Sequence, residues 1–193
     1  MGFAITAIVL VLLGLIIFGI VIYIVGLYNE LIAINVNIDK SWANIDVLLK
    51  QRYDELPKLV KVCEGYMAYE KDTLEKVISA RTKYLEAKTP ASVAVADNAL
   101  AGALKSLFAV SERYPDLKAN ENFKQLRERV TYLENQIADR REFYNDSVAI
   151  FNTRIKQFPD LFIANMLKYA GREMYKAADA EKESPEIKFE MPK

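Results

Sequence analysis

The sequence has no histidine, one cysteine and no charged side chain before Glu30. Without histidine the chain lacks Ser-His and Cys-His nucleophile pairs and every histidine-ligated metal centre. Cys63 permits no internal disulfide and, with no imidazole to activate it, is expected to be a small core residue. The 26 basic and 26 acidic residues cancel, which argues against a binder that neutralises nucleic-acid phosphates. We therefore expect no catalytic residue, no cofactor, no metal centre and no nucleic-acid partner.

The uncharged amino-terminal stretch is dominated by Ile, Val and Leu from Phe3 to Leu27. At ~1.5 Å per residue it is long enough to cross a hydrocarbon layer of ~30 Å. A cleaved signal peptide would instead have a positive start, a shorter apolar core and a small-residue exit, and none of these is present. We predict a transmembrane helix over 3–27 that places the chain in the cell (inner) membrane as a single-pass protein in contact with the lipid bilayer.

The side of the membrane that carries the rest of the chain is weakly specified. Lys40 is the first basic residue after the span, followed by Lys50 and Arg52. Basic residues near a span favour the cytoplasmic side, so the charge pattern leans that way and leaves the side open.

The rest of the chain has the apolar spacing of amphipathic helices. Four prolines divide it into segments whose apolar residues recur every three or four positions, and no stretch alternates with period two. The stripes are Ile38, Trp42, Ile45 and Leu49; Leu59, Val62, Tyr66, Leu74, Ile78 and Leu85; Val93, Ala96, Leu100, Leu104 and Leu107; and Phe123, Leu126, Val130, Leu133, Ile137, Tyr144, Val148, Phe151 and Ile155.

These patterns predict an all-α protein: one N-terminal transmembrane helix followed by an antiparallel up-down bundle of about four helices. The bundle is expected over 28–160, a short helix over 161–176 and a charged, flexible tail over 177–193. A tight bend is expected from Asp54 to Pro57. Because a proline inside a helix costs ~3 kcal/mol and sometimes only kinks it, one long bent helix through Pro57 is the alternative.

Several charged residues lie on or beside the apolar stripes. Asp46 follows Ile45, Arg52 lies between apolar residues of the first stripe, and Arg81 lies on the second. A heptad count directs one of Arg140 and Arg141 towards the core. Because an unpaired buried ion costs several kcal/mol, we expect Arg–carboxylate pairs within the bundle that fix helix register. A polar surface kept for a partner is the alternative.

Two further groups of residues have a binding interpretation and a simpler one. Asp139, Glu142 and Asp146 share one helix face and have oxygen ligands of the kind that hold a divalent cation, but a solvated face interleaved with arginines is favoured. The eleven tyrosines fit the boundary of a core, with wet hydroxyl groups, better than a ligand groove.

Much of the chain resembles the LemA family. The resemblance rests on 28–31 (YNEL), 41–47 (SWANIDV), 49–57 (LKQRYDELP), 64–66 (EGY), 112–120 (ERYPDLKAN) and 134–138 (ENQIA), with Arg141, Tyr144, Asn145, Asn152 and Pro159. Lys58, Glu55 and Tyr69 depart from the family pattern. The residues singled out as structural or interaction candidates are Trp42, Asp46, Arg52, Asp54, Pro57, Arg81, Glu112, Tyr114, Pro115, Arg140, Arg141, Tyr144, Asn145 and Asn152.

The resemblance implies an N-terminally anchored bacterial or archaeal helical bundle without enzymatic activity. Within the family, one branch takes part in forming magnetosome membranes and others are associated with membrane proteases. Some relatives carry a lipoprotein anchor, which places their domain outside the cytoplasm. We expect a homo-oligomeric structural or scaffold protein of the cell envelope that acts through self-association and contacts with other membrane proteins. The alternative is an adaptor or sensor subunit of a membrane enzyme such as a protease.

Overall fold

A computed structural model describes residues 2–175 of the 193-residue chain, and this part is helical without any strand. The helices are α1 (Gly2–Glu64), α2 (Lys71–Glu86), α3 (Pro90–Ser111), α4 (Pro115–Ala119), α5 (Glu121–Arg154) and α6 (Asp160–Met166). The all-α prediction is therefore confirmed. Helix α6 ends ten residues before the end of the short helix predicted over 161–176, and the predicted tail over 177–193 lies outside the described residues.

The described chain divides into two compact units. The first, here the anchor unit, comprises residues 2–42 and 143–172; the second, here the bundle unit, comprises residues 43–142 and 173–175. Helices α1 and α5 each contribute residues to both units.

The amino-terminal part of α1 exposes an apolar surface in the anchor unit. Its large side chains are exposed from Phe3 to Val25, and the first fully buried side chain of the helix is Leu31. A helix of this length and apolarity is a candidate membrane anchor. Helix α3 is also long and apolar enough to cross a membrane, but Leu100 and Leu107 are fully buried, as in the core helix of a soluble domain.

Local sequence signals explain where the helices of the bundle unit begin. The Thr89 side chain accepts a hydrogen bond from the Ser92 amide at 3.1 Å, and the Ser92 hydroxyl oxygen accepts one from the Thr89 amide at 2.9 Å. This capping box, with Pro90 in the first turn, starts α3. The Asn120 side chain accepts from the Phe123 amide at 3.1 Å and starts α5 in the same way.

The bend predicted between Asp54 and Pro57 is wrong, and the alternative of one continuous helix is correct. Helix α1 passes through Pro57 and ends at Glu64. Proline has no amide hydrogen, so it leaves the carbonyl four residues earlier, that of Tyr53, without its helical donor. The Arg81 Nε atom donates to this carbonyl at 3.3 Å, and the helix continues with the acceptor satisfied.

The buried face of α2 differs from the predicted stripe. Ile78 and Leu85 were expected in the core but are 48% and 62% exposed. Leu74 of the predicted stripe is buried, together with Val77, Ala80 and Tyr84. The Tyr84 ring stacks on that of Tyr53, with centroids 3.7 Å apart, so this face of α2 packs against α1.

Candidate functional site

A buried ionic cluster occupies the core of the bundle unit. Asp97 on α3 is fully buried, and its carboxylate accepts hydrogen bonds from Arg52 of α1 and Arg141 of α5. The Tyr175 hydroxyl donates to the same carboxylate at 2.6 Å. One carboxylate therefore joins side chains from three helices and from the segment after α6. This arrangement confirms that Arg141, rather than the exposed Arg140, points inwards.

The charges of the cluster are balanced by a second carboxyl group. Glu134 Oε1 lies 3.8 Å from the Arg52 guanidinium, and partial burial raises the pKa of Glu134 above its usual value. The Arg141 guanidinium lies over the Tyr175 ring, 4.7 Å from its centroid. Burial also raises the pKa of Tyr175, so its hydroxyl remains a neutral donor at physiological pH. The two guanidinium groups thus face two carboxyl groups, those of Asp97 and Glu134.

Not every polar atom of this region is satisfied. The Nε atoms of Arg52 and Arg141 and the Tyr53 hydroxyl have no hydrogen-bond partner among residues 2–175. A surface cleft of about 450 Å³ adjoins the cluster and is lined in part by Arg52, Glu134 and Arg141. The described residues contain no group of three potential metal ligands, and the Asp139, Glu142 and Asp146 side chains are exposed on α5. The ion pairs of the cluster join α1, α3 and α5, as expected of pairs that fix helix register.

The partner of the two arginines was missed in the sequence, although a signal for it exists. The arginines were identified because they interrupt apolar stripes. Asp97 lies between Val93 and Leu100 as the only acidic residue of the apolar helix α3. An acid isolated in this way on a buried face requires a cationic partner.

A second polar group lies beside this cluster in the bundle unit. The Tyr84 hydroxyl donates to the half-buried Asp46 at 3.3 Å, and Asp46 also pairs with Lys50 at 2.6 Å. Burial, with the Asp46 charge nearby, raises the pKa of Tyr84. Asp46 therefore meets a tyrosine and a lysine rather than an arginine. Arg81 likewise contacts a backbone carbonyl and forms no ion pair within the described residues.

The run around Pro115 forms a surface network in the bundle unit. Glu112 pairs with Lys118 at 2.5 Å and with Arg127 at 3.1 Å, and these cations lower the pKa of Glu112. The Tyr114 hydroxyl donates to Glu70 at 3.2 Å, while Pro115 occupies the first turn of α4. Exposed pairs of this kind contribute ~0–1 kcal/mol each, so they orient the turn more than they stabilise it. Asp54, another candidate residue of the sequence analysis, is exposed on α1.

A groove runs between α1 and α2 in the bundle unit. It consists of two adjoining depressions of about 380 and 430 Å³ that share Glu64 and Ile78. Apolar side chains form its floor, and charged residues of both signs form its rim. The lining residues are Leu56, Pro57, Val60, Lys61, Glu64, Met67, Ala68, Lys71, Leu74, Glu75, Val77, Ile78 and Arg81.

In the anchor unit, polar contacts tie the chain after α6 to the two long helices. The half-buried Asn152 side chain donates to the Arg172 carbonyl at 2.9 Å and accepts from the Arg172 amide at 2.8 Å. The Arg172 guanidinium donates to Asn35 at 2.8 Å. A Cβ atom added to Gly171 would lie 3.3 Å from the Asn152 Oδ1 atom, so a larger residue there would crowd the hydrogen bonds between Asn152 and Arg172.

Two further contacts complete the anchor unit. The half-buried Trp42 and the buried Tyr144 pack with ring centroids 5.7 Å apart, and Asn145 lies half-buried beside them in sequence. Arg154, the last residue of α5, pairs with Glu30 at 2.5 Å and with Asp160 at 2.8 Å. These two acids raise the pKa of Arg154 and join the end of α5 to the stretch just after the candidate span.

The chain matches the LemA family model over residues 41–189, which begin after the candidate membrane anchor. The chain belongs to the LemA family. It is 27% identical over 162 residues to Protein LemA of Metamycoplasma hominis, a match that covers 82% of this chain and 73% of that relative. It is 22% identical over 179 residues to Magnetosome protein MamQ 2 of Paramagnetospirillum magneticum, covering 79% of this chain and 66% of that protein. Magnetosome protein MamQ of Magnetospirillum gryphiswaldense is 23% identical over 163 residues, covering 71% of this chain and 60% of the relative.

Proposed function

We propose that the protein is a single-pass, membrane-anchored structural protein of the cell envelope that has no enzymatic activity and works by self-association. The observation that carries the proposal is the open apolar groove between α1 and α2 in a domain attached to a candidate membrane anchor. Two relatives are named as magnetosome proteins, which supports a role at a membrane.

The groove has the composition of a protein-binding surface. Ile78 is 48% exposed and, on the same helix, Leu85 is 62% exposed, so α2 presents apolar area that residues 2–175 do not cover. Contiguous exposed apolar area rimmed by polar residues is typical of interaction sites. A second copy of the domain is the occupant we favour.

The charges around the groove support pairing between identical copies. Lys61, Lys71, Glu64 and Glu75 are exposed on the rim, and none of them forms an ion pair within residues 2–175. A two-fold contact presents the same patch from both copies, so a rim that carries charges of both signs can complement itself. Anchoring copies in one plane raises their effective concentration, and modest contacts then suffice for assembly.

Crosslinking in native membranes tests the proposal. Full-length protein carrying Ile78→Cys is expected to form a crosslinked dimer with a short bifunctional maleimide. The matched control is Val95→Cys, because Val95 is 70% exposed on α3 and lies outside the groove. Equal or absent crosslinking at both positions would contradict the proposal.

The adaptor function is the second outcome of the same experiment. An adaptor or sensor subunit would use the same groove to hold a different membrane protein, such as a protease. Ile78→Cys would then crosslink to a chain of another mass and give no homodimer. Mass spectrometry of the crosslinked band distinguishes the two functions.

A further inference from the structure

Helix α6 and Phe158, which lies two residues before it, carry an exposed apolar patch in the anchor unit. Phe158, Phe162 and Met166 are 81%, 67% and 67% exposed, and they follow one another at intervals of four residues. The Phe158 and Phe162 rings pack edge to face with centroids 5.9 Å apart. These three residues, here the α6 patch, form one line of apolar side chains that no described part of the chain covers.

The ion pairs of Arg154 place the α6 patch beside the end of the candidate span. Arg154 contacts Glu30 at 2.5 Å, and its other partner, Asp160, is the first residue of α6. Glu30 follows Leu27 by three residues, which is about 4–5 Å along a helix that rises ~1.5 Å per residue. The headgroup layer adds roughly 5–7 Å to each side of the hydrocarbon core. The start of α6 therefore lies at the depth of the lipid headgroups if the span crosses the bilayer.

The composition of the segment fits that depth. Aromatic rings and flexible apolar side chains are favoured at the boundary between headgroups and acyl chains. Lys156 and Lys168 flank the patch and are exposed, as is usual for residues that meet anionic headgroups. Leu31 is already fully buried one turn after Leu27, so the packed part of the anchor unit reaches the membrane end of α1.

We propose that the α6 patch inserts into the headgroup region of the lipid bilayer, as a second membrane contact besides the span. This inference rests on the anchor role given under the proposed function. The bilayer then covers the side chains of the α6 patch, which would otherwise be exposed to water. Arg154 is then a positioning residue, because it holds α6 at the level of Glu30.

Site-directed spin labelling of the full-length protein in vesicles of phosphatidylcholine and phosphatidylglycerol tests the inference. Single labels are placed at Phe158→Cys, Phe162→Cys and Met166→Cys, and the native Cys63 is fully buried and does not compete for label. Collision with oxygen reports the lipid phase, and collision with a water-soluble nickel chelate reports water. The matched water control is Phe143→Cys, which is 57% exposed on α5 of the same unit. Leu15→Cys within the candidate span is the lipid control.

The expected result is an oxygen-to-nickel accessibility ratio at the α6 positions that lies well above that of Phe143 and approaches that of Leu15. Ratios at all three α6 positions equal to that of Phe143, with a high ratio at Leu15, would overturn the inference and leave the anchor intact. A low ratio at Leu15 as well would overturn both the anchor and this inference.

Discussion

At the scale of single residues, we expect Asp97 to be important for the stability of the bundle unit. Its carboxylate is fully buried and is the shared acceptor of two guanidinium groups and one hydroxyl. Breaking a buried pair leaves uncompensated charge, which costs more than the pair contributes when it is intact. The three donors come from different parts of the chain, so the effect is tertiary and does not depend on the stability of one helix.

The first prediction is that Asp97→Asn destabilises the full-length protein by ~3–5 kcal/mol, because the buried Arg52 and the partly buried Arg141 lose their shared carboxylate and Arg52 keeps only the more distant Glu134. The measurement is urea unfolding followed by circular dichroism in a mild detergent. Asp139→Asn, at an exposed position on α5, is the control and should change the free energy of unfolding by less than ~0.5 kcal/mol. Equal midpoints for the two variants would contradict the role of Asp97.

The second prediction concerns the single thiol. Cys63 is fully buried, and burial raises its pKa from 9.0 to about 12. The folded chain therefore keeps its proton at pH values where the unfolded chain loses it. The stability that the buried, protonated thiol contributes is fully present below the unfolded pKa of 9.0 and is lost as the pH rises towards about 12.

Thiol alkylation with iodoacetamide at pH 8 checks this prediction, because only the exposed thiolate reacts. The native protein should react far more slowly than the urea-unfolded protein. A Tyr69→Cys variant provides the control, since Tyr69 is 98% exposed and its replacement should react rapidly in the folded state. Rapid alkylation of native Cys63 would show that this end of α1 is open to solvent.

Residue types and spacing predicted that arginines on apolar stripes are paired, but not which acid they meet. Arg52 and Arg141 both contact Asp97, 45 and 44 positions away in sequence. Such a pairing depends on which helices become neighbours, and a stripe on one helix carries no information about the rotation of another. The same reason explains why Arg81 was expected to meet a carboxylate and instead contacts a carbonyl.

At the scale of helices, Pro57 and Arg81 form a coupled pair. The proline leaves the Tyr53 carbonyl without a donor, and the arginine supplies one from α2 at 3.3 Å. This contact explains how a helix of 63 residues continues through an internal proline. It also links α1 to α2 at a point where the sequence predicted a bend.

The third prediction is that substitutions at these two positions are not additive. Arg81→Ala should cost ~1–2 kcal/mol, because it leaves a backbone carbonyl unsatisfied. In a Pro57→Ala background the restored amide donates to Tyr53, so the same arginine substitution should cost less by at least ~0.5 kcal/mol. The measurement is a double-mutant cycle of urea unfolding. Additive effects would mean that the Arg81 contact does not replace the missing helical hydrogen bond.

Two of the four prolines that were expected to divide the helical segments, Pro90 and Pro115, lie at helix starts, because the chemistry of a first turn is local. The prediction failed at Pro57 and at the face of α2, because both depend on contacts between helices. Ile78 and Val77 are adjacent and similarly apolar, and Val77 is the buried one, on the same face of α2 as Tyr84, which stacks on Tyr53. The groove could not be predicted for the same reason, because its shape depends on how α2 is rotated about its axis against α1.

At the scale of the whole molecule, a helical domain with balanced charge and a candidate membrane anchor is suited to the lateral assembly that we propose. The 26 basic and 26 acidic residues give no long-range repulsion between copies. Several exposed charged residues pair within the chain, among them Glu70 with Arg113 and Glu112 with Arg127. This leaves the groove between α1 and α2 as the surface through which we expect copies to meet.

The mass of the full-length protein in mild detergent, measured by light scattering with the detergent contribution removed, tests self-association most directly. The fourth prediction is a homogeneous particle at a multiple of the 22.0 kDa chain, which Ile78→Asp shifts towards the monomer and Val95→Asp leaves unchanged. Burial of a carboxylate in an apolar contact without a partner is the physical reason for the shift. A strictly monomeric mass for the unaltered protein, together with no crosslinking in native membranes, would contradict the scaffold function and favour the adaptor.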